Sequence, residues 1–432
     1  MKESMVFMLL ITEKRKRMKF DTIIIGGGLS GLTCGIRLAE QGKKCAIITM
    51  GQSALHFFSG SFDLLGYMNG NEVTSPLAVI PTLPAVHPYA RMGMEAIKNQ
   101  LKEVKPLLRR AGIKVHGAHE TNHYRLTPIG VMKPTWLSLD DFTRFDNPTE
   151  LPWKKIAVLN LAGFLDFHAQ FIAEGLTKLG AECTLFAFSL EELESIRRNP
   201  SEMRSSNIAK VFENEKTRAK LIEKIKAYIE ASDCIVFPSV FGLFSPHAME
   251  DFRAQIQKPL CLISAIPPSV SGIRTQLMLR QRFQELGGMY MLGDTVKEGV
   301  MEGDKVHHIL THNHGDIKMQ ATTFVLSTGS FFSHGLVADP YSIFEPIFGL
   351  DVEGPCDDNR QKWYDEQLFN KQPYLSFGVS TDSTFKAKKD GLVIDNLYVS
   401  GSVLGGCDPL KESCGAGVSI LTSLQIADEI VH

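Results

Sequence analysis

The sequence lacks every spaced cysteine motif that would hold an iron–sulfur cluster or a zinc ion. Its eight cysteines are scattered, and no two of them form a Cys-x-x-Cys pair. In a chain of 432 residues this pattern excludes a disulfide framework and a cluster-binding domain. We interpret the cysteines as reduced thiols that serve as small apolar residues. If the protein passes electrons to a cluster, we expect that cluster on another chain.

The sequence also lacks a charge excess and a long apolar run. Lys+Arg 46 against Asp+Glu 48 gives a net charge of −2, which supplies no field to attract nucleic acid or an anionic membrane. No stretch reaches the roughly 20 apolar residues that cross a bilayer. The apolar run at 5–11 precedes its basic residues, which is the wrong order for a signal peptide. We expect a cytoplasmic protein without a nucleic-acid partner, attached to a membrane only through other chains.

The remaining composition, 44% hydrophobic and 22% charged, is that of a folded protein. At roughly 150 residues per domain, the length favours two or three domains. We expect Met18 to be the working start. The predicted units are a loose extension at 1–17, a nucleotide-binding domain built from 18–70, 272–335 and 392–432, an inserted substrate-side domain at 71–271, and a second insertion or cap at 336–391.

The clearest local pattern is a glycine loop between an apolar strand and a helix. Residues 21–25 form a β-branched run typical of a buried parallel strand, and a G-x-G-x-x-G loop follows at once. Gly26 permits the tight turn, Gly28 lets a phosphate approach the backbone, and Gly31 lets the helix pack on the strand. With a second strand predicted at 44–49, the pattern predicts a phosphate-containing cofactor. The predicted contacts in this loop are Gly26, Gly27, Gly28, Leu29, Ser30 and Gly31.

The second strand ends without the acid that usually binds an adenosine ribose. Thr49 holds that position, and the next acid along the chain is Asp63. A carboxylate at this point normally accepts hydrogen bonds from the ribose hydroxyls. Two alternatives therefore stay open: a dinucleotide with a weaker ribose contact at Thr49, or a cofactor that lacks the adenosine half.

The second and third segments resemble the order of motifs in two-domain flavoproteins. Gly293-Asp294-Thr295-Val296 precedes a predicted β-meander and a strand that ends in Thr328-Gly329. Residues 396–406 resemble the terminal flavin motif, with Ser402 where an Asp normally holds a ribityl or ribose hydroxyl. Gly415-Ala416-Gly417 opens the last helix, whose N-terminus can stabilise charge on a reduced flavin. The resemblance implies an α/β, Rossmann-type two-domain flavoprotein fold, with a discontinuous nucleotide-binding domain and an inserted α/β domain.

Several short segments together point to one family. They are GQSALHFFSGS at 51–61, RLTPIG at 125–130, TWLS at 135–138, FGL at 241–243, PPSVSGIR at 267–274, GSFFS at 329–333 and GSVLGG at 401–406. On these segments the chain resembles the family of anaerobic glycerol-3-phosphate dehydrogenase B subunits, from Met18 almost to the C-terminus. The first and last segments are the most specific.

The resemblance implies a respiratory oxidoreductase that oxidises sn-glycerol 3-phosphate to dihydroxyacetone phosphate and passes the electrons to quinone. It implies FMN on this chain, with FAD as the alternative, and FMN agrees with the missing acid at Thr49. It also implies two partners, a catalytic flavoprotein (the A subunit) and an iron–sulfur, membrane-attached protein (the C subunit). These would hold the chain at the cytoplasmic face of the inner membrane. Two other readings stay open: a structural subunit without flavin, and an independent FAD oxidoreductase acting on another substrate.

Two candidate catalytic residues come from distant parts of the sequence. We expect His56 to accept a proton or contact the flavin, and Arg274 to bind a phosphate through its guanidinium fork. We expect them to share one site, because ligands gather beyond the carboxyl ends of parallel strands. The remaining predicted cofactor contacts are Thr49, Ser53, Ser59, Gly60, Ser61, Val296, Gly329, Gly401, Ser402, Gly405 and Gly406.

No metal site is expected from the sequence. His312 and His314 fit a polar hairpin turn, since a metal would require a third ligand nearby. We interpret Cys407 and Cys414 as packing residues beside the cofactor, with a redox dithiol as the alternative. Arg125 is a weaker candidate for binding an anionic ligand.

Overall fold

A computed structural model describes residues 17–244, 247–354 and 359–432. The expected extension at 1–17 lies outside the described residues except for Arg17, which begins the first strand. The helices are α1 (Leu29–Glu40), α2 (Pro76–Val79), α3 (Pro88–Met92), α4 (Met94–Arg110), α5 (Ala169–Lys178), α6 (Glu194–Arg197), α7 (Ser205–Phe212), α8 (Glu215–Lys226), α9 (His247–Gln255), α10 (Val270–Glu285) and α11 (Gly415–Val431). No helix in these three ranges is both long enough and apolar enough to cross a membrane.

Two larger sheets and several short ones organise the strands. The strands are β1 (Arg17–Ile25), β2 (Cys45–Thr49), β3 (Ser61–Phe62), β4 (Tyr67–Met68), β5 (Asn71–Glu72), β6 (Val115–Gly117), β7 (His123–Leu126), β8 (Met132–Thr135), β9 (Leu137–Leu139), β10 (Lys155–Leu161), β11 (Glu182–Phe188), β12 (Cys234–Pro238), β13 (Leu260–Ile263), β14 (Met289–Leu292), β15 (Val296–Glu302), β16 (Lys305–Thr311), β17 (Lys318–Leu326), β18 (Val337–Ala338), β19 (Ile343–Phe344), β20 (Val352–Glu353), β21 (Gly378–Val379), β22 (Lys386–Lys389) and β23 (Leu392–Val399).

The first large sheet contains eight strands and forms the nucleotide-binding layer. Its parallel strands stand in the order β14-β2-β1-β17-β23, and the predicted meander adds β16 and β15 antiparallel beside β17. Strand β22 pairs with β23, so the sheet also takes in part of the expected second insertion. The central β1 is buried on both faces, as its run of isoleucines predicts. This arrangement confirms the Rossmann-type layer.

Helices α1, α10, α11 and α4 pack together beside this sheet. Arg37 of α1 forms ion pairs with Asp428 of α11 at 2.8 Å and with Glu103 of α4 at 3.2 Å. The sequence from Arg91 to Gly112 has a helical pattern that predicts one long helix. The structure interrupts it, because Gly93 adopts a φ of 78° between α3 and α4. Helix α4 thus packs on the nucleotide-binding layer, although its sequence lies within the expected insertion.

The second large sheet is the predicted inserted α/β unit. Its four strands are parallel in the order β11-β10-β12-β13, and the helical pattern near 214–230 becomes α8. The carboxyl end of this sheet leads back to the first one. Ser264 Oγ donates to the carbonyl of Ser59 at 2.5 Å, and the Ser269 amide donates to the carbonyl of His56 at 2.8 Å. The loop at 53–61 therefore lies between the two sheets.

Candidate functional site

The glycine loop has the tight geometry that the sequence predicts. Gly26 adopts a φ of 116°, and a Cβ there would overlap the carbonyl oxygen of Ser327. A Cβ on Gly31 would overlap the carbonyl oxygen of Gly26. Both glycines are therefore required by contacts within the protein. These contacts bring the first turn of α1 close to the ends of β1 and β17.

Gly28 differs from these two glycines because no atom of the described residues crowds it. A Cβ built there would be 3.5 Å from Ser53 Cβ, an ordinary van der Waals contact. Gly28 caps α1 without a side-chain hydrogen bond, and the first turn contains no acid. The amides at this end of α1 thus face a space without a competing carboxylate. The chemistry of free amides and a positive helix end fits a phosphate group.

Two side chains that the sequence analysis missed hold the other side of the loop. Gln276 of α10 accepts a hydrogen bond from Ser53 Oγ at 3.1 Å and donates to the Gly27 carbonyl at 3.5 Å. Tyr290 of β14 donates its hydroxyl to the same carbonyl at 3.2 Å. No sequence pattern separates Gln276 from a solvated helix residue. Only the packing of α10 against the loop reveals it.

Thr49 lies at the predicted ribose position, and no free acid replaces it among the described neighbours. Its hydroxyl donates to the Gly51 carbonyl at 3.1 Å. The nearby Asp294 is 2% exposed and accepts hydrogen bonds from the Thr295 amide at 2.9 Å and His314 Nδ1 at 2.7 Å. Burial raises the pKa of Asp294, but these and further hydrogen bonds outweigh it and hold the pKa below its ordinary value. This carboxylate is therefore already committed to protein donors.

A buried cluster of serines joins the glycine loop to the terminal motif. Ser30 Oγ lies 2.7 Å from Ser400 Oγ and 2.8 Å from Ser423 Oγ. A Cβ on Gly401 would crowd Ser30, and one on Gly329 would be 3.6 Å from Ser402 Oγ. Gly329, Gly401 and Ser402 therefore lie beside the loop. The Ser30 hydroxyl points into the cluster, which leaves only its backbone amide for a ligand.

His56 occupies the 3-10 turn that follows β2. Its ring is half-buried, and neither ring nitrogen has a hydrogen-bond partner among the residues that the structure describes. Burial lowers the pKa of His56, so the ring is neutral near pH 7. Beside it, Phe57 and Phe332 are 56% and 63% exposed and make an edge-to-face contact at 4.9 Å. Two exposed aromatic rings thus border this end of the sheet.

The next three predicted contacts are engaged with protein groups. Gly60, at a φ of 87°, lies against the Phe142 ring, where a Cβ would overlap the ring edge. Ser61 Oγ accepts a hydrogen bond from the buried Arg125 at 2.7 Å, and the Arg125 guanidinium lies 3.9 Å from the centre of the Phe142 ring. The Ser59 carbonyl accepts from the inserted sheet. Their contact with a cofactor stays a prediction.

Arg274 is buried against the inserted domain. Its guanidinium pairs with Asp141 and donates to the Gly242 carbonyl at 3.1 Å. Burial lowers the pKa of Arg274 to about 10, so it remains charged at neutral pH. Gln276, two residues later, faces the glycine loop instead. A shared site with His56 therefore requires the Arg274–Asp141 pair to open, and it stays a prediction.

The last three predicted contacts lie against other parts of the protein. Val296 begins β15 and pairs with Thr311. A Cβ on Gly405 would be 3.0 Å from Glu353 Oε2, and one on Gly406 would overlap the Val86 carbonyl. Close backbone packing explains these glycines without a ligand. Their contact with a cofactor stays a prediction.

The class of protein to which this chain belongs follows from its similarity to known proteins. The model of the family described as FAD binding domain matches residues 21–418. Together with the sheet order and the glycine loop, this match makes the chain a flavoprotein with a Rossmann-like α/β fold. Among solved structures, 3-ketosteroid delta1-dehydrogenase from Sterolibacterium denitrificans aligns with 96% of this chain and 99% of its own, at 10% identity and a TM-score of 0.46.

Curated relatives then define the family. The B subunit of anaerobic glycerol-3-phosphate dehydrogenase from Yersinia enterocolitica is 44% identical over 419 residues, covering 96% of this chain and 98% of the relative. The protein of the same name from Pectobacterium carotovorum is 40% identical with 96% and 99% coverage, and that from Glaesserella parasuis is 36% identical with 96% and 100% coverage. The chain belongs to the family of anaerobic glycerol-3-phosphate dehydrogenase B subunits, a family of oxidoreductases.

Proposed function

We propose that this chain is the flavin-carrying subunit of a respiratory complex that oxidises sn-glycerol 3-phosphate to dihydroxyacetone phosphate. The observation that carries the proposal is the full-length similarity to these curated relatives, combined with an uncrowded α1 N-terminus at the glycine loop. Electrons pass to quinone through a catalytic flavoprotein partner and an iron–sulfur partner. The iron–sulfur partner anchors the complex to the cytoplasmic face of the inner membrane. The absence of Cys-x-x-Cys in this sequence supports that division of labour.

We propose FMN as the flavin. The hydroxyl of Thr49 and the carboxylate of Asp294 are both bonded to protein groups, so the described end of β2 offers no free acid to an adenosine ribose. FAD is the second candidate, favoured by the description of the matching family. Flavin released by heating the purified chain should have the mass of FMN. The mass of FAD would overturn the choice of FMN, and a colourless folded chain would favour a purely structural role.

The residues of the site suggest how the chain serves this oxidation. A bound flavin supplies a two-electron acceptor. The neutral His56 ring accepts the proton of the substrate hydroxyl while the carbon that carries this hydroxyl is oxidised. Its two nitrogens have no hydrogen-bond partner among the described residues. Arg274 supplies a guanidinium for the substrate phosphate once Asp141 releases it. The exposed Phe57 and Phe332 rings, in edge-to-face contact at 4.9 Å, provide an apolar surface next to His56.

Quinone reduction should require assembly of the chain with its partner proteins. We expect the isolated chain to show no glycerol 3-phosphate-dependent reduction of a quinone analogue, and the chain assembled with its partner proteins to show it. The physical reason is that the chain has no cluster ligands in its sequence to carry single electrons onward. Full activity from the isolated chain would contradict the proposal. Assembly without this chain is the control.

The assembled complex also tests whether His56 takes part in the reaction. The His56→Gln complex should retain flavin and lose turnover by about 100-fold, the usual scale of a general base. Because burial lowers the pKa of His56, the midpoint of the acid limb in the pH profile of the wild-type rate should lie below pH 6.5, the ordinary value for histidine. An unchanged rate in the variant would remove His56 from the reaction.

A further inference from the structure

Three side chains with metal-binding chemistry meet in the interior, outside the glycine-loop site. Ligand atoms of His87, Cys407 and Cys414 all lie within 4.8 Å of one another, and all three residues are buried. His87 precedes α3, while both cysteines flank the loop that leads into α11. The two cysteines are close in sequence, whereas the histidine lies more than 300 residues earlier. No spacing rule could have joined them.

A fourth donor borders this cluster. Glu412 Oε2 lies 3.2 Å from His87 Nε2 and 3.5 Å from Cys414 Sγ. In a tetrahedral zinc site the metal lies about 2.0 Å from nitrogen or oxygen and about 2.3 Å from sulfur, so neighbouring ligand atoms are about 3.3 Å and about 3.5 Å apart. The two distances at Glu412 match those two edges, although Glu412 is not among the residues whose ligand atoms all lie within 4.8 Å of one another, so its side chain must turn to complete a tetrahedron. Two thiolates, one imidazole and one carboxylate suit zinc better than a hard cation.

The backbone around the cluster is fixed before any metal arrives. Gly406, next to Cys407, lies so close to the Val86 carbonyl that a Cβ would overlap it, which holds the cysteine loop against the segment before α3. The Glu412 carbonyl accepts hydrogen bonds from the Gly66 amide at 2.9 Å and the Tyr67 amide at 3.0 Å. These contacts position the backbone of both loops, so only side chains would have to adjust to a metal. Its burial gives it a structural role at the start of α11.

We propose that His87, Cys407 and Cys414 bind a structural zinc ion, with Glu412 turning in as the fourth ligand, and that the ion clips the loop before α11 to the start of α3. Both cysteines are free thiols. Binding replaces the two thiol hydrogens with two sulfur–zinc bonds and releases two protons, and no electron is transferred. The two thiolates balance the charge of the ion, and the Glu412 carboxylate then leaves the site with one net negative charge.

The histidine must change its tautomer for this to happen. His87 Nδ1 accepts a hydrogen bond from the Tyr89 amide at 3.0 Å, so the ring hydrogen is on Nε2 and points at Glu412. Ligation through Nε2 moves that hydrogen to Nδ1 and opens the contact with Tyr89. The amide resonance of Tyr89 is therefore a reporter of the site. Its chemical shift should change when the metal binds.

Cobalt(II) titration of the full-length reduced chain tests the site directly. After treatment with a chelator, Co²⁺ alone should bind one ion per chain, with the thiolate charge-transfer and visible bands of tetrahedral coordination. Zinc should displace it. The Cys407→Ala/Cys414→Ala variant should lose these bands. The control is Cys34→Ala/Cys45→Ala, which removes another pair of buried free cysteines and should keep them.

Three results would overturn the proposal. They are an absence of Co²⁺ bands from the folded reduced chain, equal bands in the Cys407→Ala/Cys414→Ala variant, or a Cys407–Cys414 disulfide in freshly isolated protein. If the double variant fails to fold, metal analysis of the unmodified chain still decides, because zinc should copurify at one ion per chain. None of these measurements depends on flavin or on turnover, so the proposed function can fail or succeed separately.

Discussion

Replacing Gly28 with valine should remove the flavin while leaving the chain folded. Gly28 has an extended backbone that any residue can adopt, with φ −83° and ψ −168°, and a Cβ there meets only Ser53 Cβ at 3.5 Å. The isopropyl group would instead fill the space in which a phosphate meets the amides of α1. We expect flavin absorbance to be lost and the free energy of unfolding to fall by about 1 kcal/mol, the scale of a helix-cap change.

Two neighbouring glycines provide the comparison. Gly51→Val places the same side chain after β2, where no atom of the residues that the structure describes lies within 4 Å of a built Cβ, and this variant should keep its flavin. Gly31→Ala should unfold the loop, because its Cβ overlaps the Gly26 carbonyl. Flavin content measured by absorbance and folding measured by circular dichroism separate the three cases. A folded Gly28→Val chain with normal flavin would place the cofactor elsewhere.

Local pattern was enough to predict the nucleotide-binding layer. The isoleucine run of β1, the glycine loop and the helical spacing of α1 all lie within one short segment, so their structure depends on near neighbours. The meander of β15, β16 and β17 was expected instead from the resemblance to two-domain flavoproteins. Where a single residue interrupts a pattern, as Gly93 does between α3 and α4, the prediction ran two helices together.

The candidate site was harder to predict because its members come from distant segments. The phosphate-loop residues are consecutive, whereas Gln276 reaches Gly27 only because α10 packs against α1. Gly405 and Gly406 are typical of a flavin motif in sequence, yet close contacts with β20 and the Val86 segment account for both. Glycine marks a close approach, but the sequence does not say whether the approaching group is a ligand or the protein's own backbone.

The ion pair between Arg274 of α10 and Asp141, which follows β9, should contribute strongly to the stability of the fold. Both side chains are largely buried, and Arg274 also donates to the Gly242 carbonyl. Replacing Arg274 with methionine leaves Asp141 charged and unpaired, which should lower the free energy of unfolding by about 3–5 kcal/mol. Denaturant unfolding of the purified chain measures this. A loss below about 1 kcal/mol would mean that the pair is solvated and weak.

The double variant Arg274→Met/Asp141→Asn then separates packing from ligand binding. Because the double variant has no unpaired carboxylate, its free energy of unfolding should regain most of the about 3–5 kcal/mol that the single variant loses. Neutralising Asp141 does not restore the guanidinium that a phosphate ligand would bind. If Arg274 binds substrate phosphate, affinity for sn-glycerol 3-phosphate in the assembled complex should stay weaker by about 2–5 kcal/mol in both variants. If affinity recovers together with stability, Arg274 serves packing alone and another cation must bind the phosphate. The first candidate is then the buried Arg125, which donates a hydrogen bond to Ser61 at the end of the 53–61 loop.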